Sequence, residues 1–263
     1  KIFKIKKRPK SNPLIVHYSN ITNLKKDCHI NKIFLKLYKK FCPGPISFVL
    51  KLKNNSVISK KVTNNKKTLA VRFPNHKIMK SLLKKLDYPL AAPSANITTK
   101  VSAVEAKDVK EDFGKKISFV LDGGKSKIGL ESTIIDLTKS PMILRLGGLE
   151  ISKIEKVIGK KIKKLINPKI NFSPGQSALH YSPGIPLRMN VSNPKKNEAH
   201  LVLKKNKNKN SNYFYLSKKN NLKEAGKNLY SLLRKIKKKG YKSISVEKIP
   251  NTGIGQSIND RLK

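Results

Sequence analysis

The stretch Leu90-Ala91-Ala92-Pro93-Ser94-Ala95-Asn96 sets small residues, a proline and two short polar side chains directly behind an apolar run. Such material packs a core poorly. It suits a tight turn at a strand end that presents hydroxyl and amide groups to a ligand. Two other blocks fall at element boundaries: Lys6-Lys7-Arg8-Pro9 upstream and Gly129-Leu130-Glu131-Ser132-Thr133 downstream. Lys6 and Arg8 converge on one anion only if the chain leaves helical geometry, which Pro9 encourages. Lysine offers a point charge and arginine a bidentate fork, a pair suited to polyphosphate. A solvated basic helix end is the plainer reading of the same residues. Ser94 has no histidine or carboxylate near it in sequence and no Gly-x-Ser-x-Gly elbow, so it reads as a binding group rather than a nucleophile. Asn96 and Ser94 also suit an Asx or Ser turn capping the next helix.

Around these blocks the pattern alternates. Lys1 to Lys7 reads as the end of an amphipathic helix. Strands are expected at Pro13–His17, Ser47–Leu50, Leu69–Phe73, Ile117–Leu121, Ser132–Leu137 and Ile143–Leu146. Helices are marked by Ile30, Ile33, Phe34, Leu37 and Tyr38, by Ile78, Leu82, Leu83 and Leu86, and by Ile151–Ile158. Ser102 with Glu105 reads as a capping box before a helix through Val109. This order predicts an α/β domain over residues 1–166. Residues 167–185 form a Pro-rich linker, stiff rather than Gly/Ser-flexible. Residues 186–263 form a smaller α/β domain, with strands at Leu201–Leu203, Tyr213–Leu216 and Ile244–Ile249 and a helix from Leu222 to Lys239. Lys204–Asn212 reads as a mobile loop. Gly253-Ile254-Gly255, before a last short helix, reads as a plain turn more than as a phosphate cradle.

Composition bounds the function. The 263 residues carry 59 Lys and Arg against 15 Asp and Glu, a formal charge of +44. Only six of the basic residues are arginine: Arg8, Arg72, Arg145, Arg188, Arg234 and Arg261. The lysines are scattered rather than striped, and Asn and Ile are abundant too. A/T-rich codon bias explains that pattern without selection for a partner, although weak, salt-sensitive attraction to RNA follows either way. Where lysine is so plentiful, an arginine marks a need for a planar fork; for Arg188 and Arg234, chance retention at the surface is the competing reading. Cys28 and Cys42 have no metal-ligand spacing and read as buried thiols of a reducing compartment. No run of 18 apolar residues is present, and no secretory signal opens the chain, so a cytoplasmic protein without membrane attachment is expected. No carboxylate pair or His/Cys cluster suggests a tightly held metal.

The blocks together resemble the YrdC-like family, and more closely its long form, the threonylcarbamoyl-AMP synthases. The resemblance rests on Lys6/Arg8 followed far downstream by Ser94/Asn96. It also rests on Asn12-Pro13-Leu14-Ile15-Val16-His17, Pro43-Gly44-Pro45, Val71-Arg72-Phe73-Pro74, Ile143-Leu144-Arg145 and His180-Tyr181-Ser182-Pro183. It implies a YrdC-like twisted mixed sheet with flanking helices, plus a smaller Rossmann-like C-terminal domain. It implies a nucleotidyltransferase that joins L-threonine, bicarbonate and ATP into threonylcarbamoyl-adenylate, releasing pyrophosphate, for modification of tRNA by a downstream transfer machinery. Lys6, Arg8, Ser94 and Asn96 would be catalytic, placing the phosphates and the carbamate. Lys7, Ser11, Thr68, Ser102 and Arg145 would contact ATP, with His180 and Tyr181 closing over the adenylate. Arg72 would grip the threonine carboxylate, with His17, Ala92 and Ser132 lining that pocket. Mg²⁺ would arrive on the ATP phosphates. The family pattern also implies a strand, a turn and most of a helix ahead of Lys1, about 40 residues, without which turnover would suffer. Three positions depart from it: Lys7 stands where glycine is common, Cys42 where tryptophan is common and Leu146 where proline is usual. The competing reading is a non-catalytic double-stranded RNA- or ribosome-binding module of the same fold. A relative from hydrogenase maturation is disfavoured by the linker, the C-terminal region and the lack of zinc-finger cysteines.

Overall fold

The computed structural model describes residues 1–165, 181–205 and 210–263. In chain order the elements are α1 (Ile2–Lys6), β1 (Ile15–His17), α2 (Ile21–Asp27), α3 (Lys32–Phe41), β2 (Ile46–Lys51), α4 (Lys60–Thr63), β3 (Thr68–Arg72), α5 (Lys77–Lys85) and β4 (Leu90–Ala92). There follow α6 (Ala106–Phe113), β5 (Thr133–Asp136), β6 (Met142–Arg145), α7 (Ile151–Ile158) and β7 (Lys163–Lys164). The C-terminal part holds β8 (Leu187–Met189), β9 (Ala199–Lys204), β10 (Tyr213–Ser217), α8 (Leu222–Lys238), β11 (Ile244–Val246) and α9 (Ile254–Leu262). Two compact units result: Lys1–Ser94 with Glu131–Ala178, and Ala95–Leu130 with Leu179–Lys263. The division does not follow a boundary at residue 166. The chain leaves the first unit inside the Ser94-Ala95-Asn96 motif and returns at Glu131.

The first unit is built on a seven-stranded mixed sheet in the order β4-β1-β3-β2-β5-β6-β7. Side chains alternate across it. Val16, Phe48, Val71, Ile135 and Ile143 point to one face and join Leu24, Phe34, Leu37 and Ile154 of α2, α3 and α7 in the main core. Asparagines start two of these helices. The Asn31 side chain accepts from the Phe34 amide at 2.8 Å and donates to the Leu137 carbonyl at 2.9 Å, so one residue caps α3 and ties it to the end of β5. The opposite face carries a smaller apolar cluster of Ile15, Val49, Ala70, Ile134 and Leu144.

The second unit has four parallel strands in the order β10-β9-β11-β8. α8 and α9 bury Ala225, Leu229, Leu233, Ile236, Ile254 and Ile258 against Leu201, Leu216 and Val246. Asn221 caps α8, accepting from Lys223 and Glu224. Three expectations need correction. Ile117–Leu121 alternates like a strand but forms none: Phe119 is 76% exposed and Leu121 54%, and no neighbouring strand pairs with them among the described residues. The Ser102/Glu105 capping box does not form. α6 starts at Ala106, and Asp108 accepts from the Val104 amide instead, at 2.9 Å. Gly255 lies inside α9, where a Cβ would stand 1.9 Å from the Pro250 carbonyl oxygen. That glycine serves close packing.

Candidate functional site: two polar groups at opposite ends of strand β1

Residue 7 ends α1 in the left-handed conformation, φ 51° and ψ 40°. The turn brings Lys6, 5% exposed, to donate from Nζ to the Ser94 carbonyl oxygen at 2.6 Å. The antiparallel register of β4 on β1 pairs Ile15 with Ala92. Continued by two residues, that register sets Ser94 level with Pro13. Arg8 closes the same end. Its Nε donates to the Asn12 carbonyl at 3.2 Å, and its Nη2 to Asn12 Oδ1 at 2.6 Å and the Pro13 carbonyl at 2.8 Å. Much of this fork therefore shapes the turn into β1. Ser11 accepts from Asn64 through its carbonyl, and Thr68 opens β3 at the same end of the sheet, half-buried. Lys7 is exposed there.

The other end of β1 carries a second group. Parallel pairing sets His17 beside Arg72 of β3, and antiparallel pairing sets Ser47 of β2 on the other side of Arg72. Ser47 Oγ lies 2.8 Å from Ser132 Oγ, just ahead of β5. Arg145, at the end of β6, donates from Nε and Nη2 to the Ser132 carbonyl at 3.0 and 2.9 Å, and from Nη2 to Ser132 Oγ at 3.0 Å. His17, Arg72, Ser47 and Arg145 thus lie across β1, β3, β2 and β6, with Ser132, just ahead of β5, bonded to both Ser47 and Arg145. The structure sets Arg145 with the residues expected for threonine rather than with the phosphate group. Ala92 lies half-buried in β4, opposite Ile15.

The electrostatics of this group are specific. Burial, then the neighbouring Arg145, pull the pKa of Arg72 down from 12.5 to about 10, with Glu131 and Cys42 opposing. Arg72 Nε is buried with no hydrogen-bond partner. Two guanidiniums this close favour an incoming anion. Burial, then Arg72, push His17 down from 6.5 to about 4, against hydrogen bonds that favour its charge. The ring is therefore neutral near pH 7. Its Nδ1 lies 3.3 Å from the Leu90 carbonyl, which assigns the proton to Nδ1 and leaves Nε2 an acceptor.

The remaining candidates belong to the second unit. Asn96 donates from Nδ2 to the Ile97 and Lys100 carbonyls at 2.9 and 2.8 Å, so it holds its own turn. Ser102 is buried, and its carbonyl accepts from Arg234 at 3.4 Å. Tyr181, expected to close over the adenylate, is instead 4% exposed in the second unit's core. It stacks on Tyr230 at 5.8 Å, with the Arg261 guanidinium 4.3 Å from its centroid. His180 lies outside the described residues. Ser47 is the residue that motif reading passed over. It sits inside the apolar run Ile46–Leu50, and only the strand register reveals that a hydroxyl there faces the arginines. Burial is the main cause that pushes both cysteine thiols up to about 12, which favours the protonated form.

Residues 1–147 match the Sua5–YciO–YrdC family (telomere recombination), and residues 149–263 match the threonylcarbamoyl-AMP synthase C-terminal domain. The threonylcarbamoyl-AMP synthase of Pyrococcus abyssi is 35% identical, covering 100% of this chain and 82% of its own. That of Bacillus subtilis is 31% identical, covering 100% and 81%. The crystal structure of P. abyssi Sua5 complexed with L-threonine matches with a TM-score of 0.90 at 33% identity, over 99% of this chain and 82% of that one. The fold and these matches define a nucleotidyl-transferring α/β enzyme with an appended C-terminal domain. The chain belongs to the Sua5–YrdC family, and within it to the threonylcarbamoyl-AMP synthases.

Proposed function

We propose that the two polar groups are the two halves of one substrate site, with the amino acid at the His17 end of β1 and the triphosphate at the Pro13 end. The supporting observation is the strand register. Four residues separate Pro13 from His17, about 13 Å of extended chain. That span suits a molecule with a carboxylate at one end and a pyrophosphate at the other. Arg72 and Arg145 take the threonine carboxylate. Neutral His17 accepts the threonine hydroxyl proton at Nε2, which selects threonine over analogues lacking it. Lys6, Arg8, Ser11 and the Ser94 turn place the phosphates.

The chemistry then runs on placement rather than on a protein nucleophile. The threonine amine combines with bicarbonate, losing water, to give a carbamate. A carbamate oxygen bonds to the α-phosphorus of ATP as the bond to the bridging oxygen breaks. Pyrophosphate leaves toward Lys6. On this reading Mg²⁺ enters on the nucleotide phosphates. The product passes to the machinery that modifies tRNA. No helix among the described residues is long and apolar enough to cross a membrane. The charge of +44 adds loose RNA affinity that salt abolishes.

The test is pyrophosphate release from ATP. It is expected only with both L-threonine and bicarbonate, and to fall at least tenfold, roughly the value of one charged hydrogen bond, in Arg72→Ala. Equal turnover with L-2-aminobutyrate, which lacks the hydroxyl, or turnover without an amino acid, refutes the reading.

A further inference from the structure

We infer that Ser47 is a positioning residue that fixes the direction of the Ser132 hydroxyl, so that Ser132 offers its proton to the amino-acid substrate. This rests on the reading above that Ser132 lines the threonine half of the site.

The inference follows from counting protons. Ser132 Oγ sits between two groups, Arg145 Nη2 at 3.0 Å and Ser47 Oγ at 2.8 Å. A guanidinium only donates, so Ser132 accepts from Arg145. One proton and one lone pair remain on Ser132 for Ser47 and for a ligand. Ser47 has 0% exposure, and Ser132 Oγ is the side-chain partner of its hydroxyl. If Ser132 donated to Ser47, the Ser47 proton would be buried in the sheet without an acceptor, which is costly. If Ser47 donates to Ser132, both lone pairs of Ser132 are filled and its own proton is turned away from Arg145 and Ser47. That proton then needs an acceptor, and a carboxylate or hydroxyl oxygen drawn in by Arg72 and Arg145 supplies one. Binding an acceptor thus completes a chain that the protein alone leaves one partner short.

The position of Ser47 fits the part. It stands among Ile46, Phe48, Val49 and Leu50, all apolar and buried, in a strand that ends on the exposed Lys51, and its register partner is Arg72 itself. A hydroxyl inside such a run is retained against its desolvation when a partner uses it. Ser47 touches Ser132, not the reacting atoms, so its effect should pass wholly through Ser132.

A double-mutant cycle on the full chain tests this, with the dissociation constant for L-threonine measured by calorimetry and folding checked by thermal melting. Ser132→Ala should weaken threonine binding about tenfold and Ser47→Ala about fivefold, the value of one directed hydrogen bond. In the Ser132→Ala background, Ser47→Ala should change nothing further. Ser47→Thr, which restores the hydroxyl, should recover binding to within about twofold. Independent, multiplying effects of the two substitutions overturn the inference, as does unchanged binding in a folded Ser47→Ala protein. Unchanged binding in Ser132→Ala sinks the site reading itself, a different failure. If Ser47→Ala fails to fold, Ser47→Cys is measured in its place: a thiol donates weakly, so it should lie close to the expected alanine value, and wild-type affinity there overturns the inference.

Discussion

Replacing Arg72 by lysine turns a fixed charge into one that titrates within reach of experiment. Burial and Arg145 together bring Arg72 from 12.5 to about 10. A lysine starts from an ordinary value of about 10.4 and meets the same two influences, so the same displacement puts it at roughly 8. On the proposed reading the cationic form binds the threonine carboxylate, and it is present below that value and lost above it. In Arg72→Lys, threonine binding should be weaker by about tenfold at pH 6.5, because an ammonium lacks the planar fork. It should weaken by roughly a further 30-fold between pH 7 and pH 9.5 as the lysine gives up its proton. The wild type, with its guanidinium near 10, should lose less than about twofold from Arg72 over the same span. The assay is calorimetric titration with L-threonine, reported as the ratio of variant to wild-type dissociation constants. The ligand's own amine titrates in this range, and the ratio cancels it. A ratio that stays flat from pH 7 to pH 9.5 refutes the reasoning: Arg72 would then either not touch the carboxylate or not sit in a desolvated, cation-crowded place.

Other consequences can be checked on the protein without ligand. Lys7→Gly should stabilise the protein by about 0.5–1 kcal/mol in denaturant unfolding, because a left-handed φ of 51° strains any residue with a Cβ. His17 binds its proton less readily in the folded protein, about 4 against 6.5, so its contribution is intact above pH 6.5 and erodes as the pH falls toward 4. The loss attributable to it is on the order of 3 kcal/mol. Its ring resonances should not titrate between pH 5.5 and 8, and titration near 6.5 contradicts its burial. Arg234→Lys should destabilise the second unit by roughly 2–4 kcal/mol. It removes the fork that spans Asp112 at 2.8 Å and the Val101 carbonyl at 2.8 Å, and unchanged thermal stability would show that the pair contributes nothing.

Much of the fold was legible because its apolar faces are regular. α7 falls on Ile151–Ile158, where Ile151, Ile154, Val157 and Ile158 keep helical spacing, and β1 falls inside the apolar run of Pro13–His17. α2 escaped notice because Leu24 is its only buried apolar residue and Asn20 its only clear signal. The stretch 117–121 misled because alternation reports that a strand has a suitable pattern, while pairing depends on a distant partner. The amino-acid end of the site was half legible. Arg72, His17 and Ser132 carried motif signals, but the approach of Arg145 to Ser132 exists only once β5 and β6 lie antiparallel. The turn role of Asn96 was one of two readings that local sequence supports equally, and hydrogen bonds to Ile97 and Lys100 decided between them.

The arginines give the composition a physical meaning. A drift toward lysine costs nothing wherever a solvated point charge is enough, and 53 of the 59 basic residues are lysine. The six that remain arginine do what an ammonium cannot. Arg8 brackets a turn with bonds to Asn12 and Pro13. Arg145 spans the carbonyl and hydroxyl of Ser132. Arg188 grips both oxygens of Glu198, and Arg234 both oxygens of Asp112. Arg261 sets its guanidinium carbon 4.3 Å from the centre of the Tyr181 ring. Chance retention does not explain Arg188 and Arg234, since each makes a two-pronged bond to a carboxylate. Arg72 is the exception that defines the site. Its Nε is buried without a hydrogen-bond partner, beside a second guanidinium. Five arginines whose guanidiniums are used within the protein set apart the sixth, whose Nε is unmatched and to which the proposed reading gives the threonine carboxylate. The same logic ranks substitutions across the chain: Arg→Lys should be damaging at all six sites, whereas Lys→Arg at exposed positions should be close to neutral in stability.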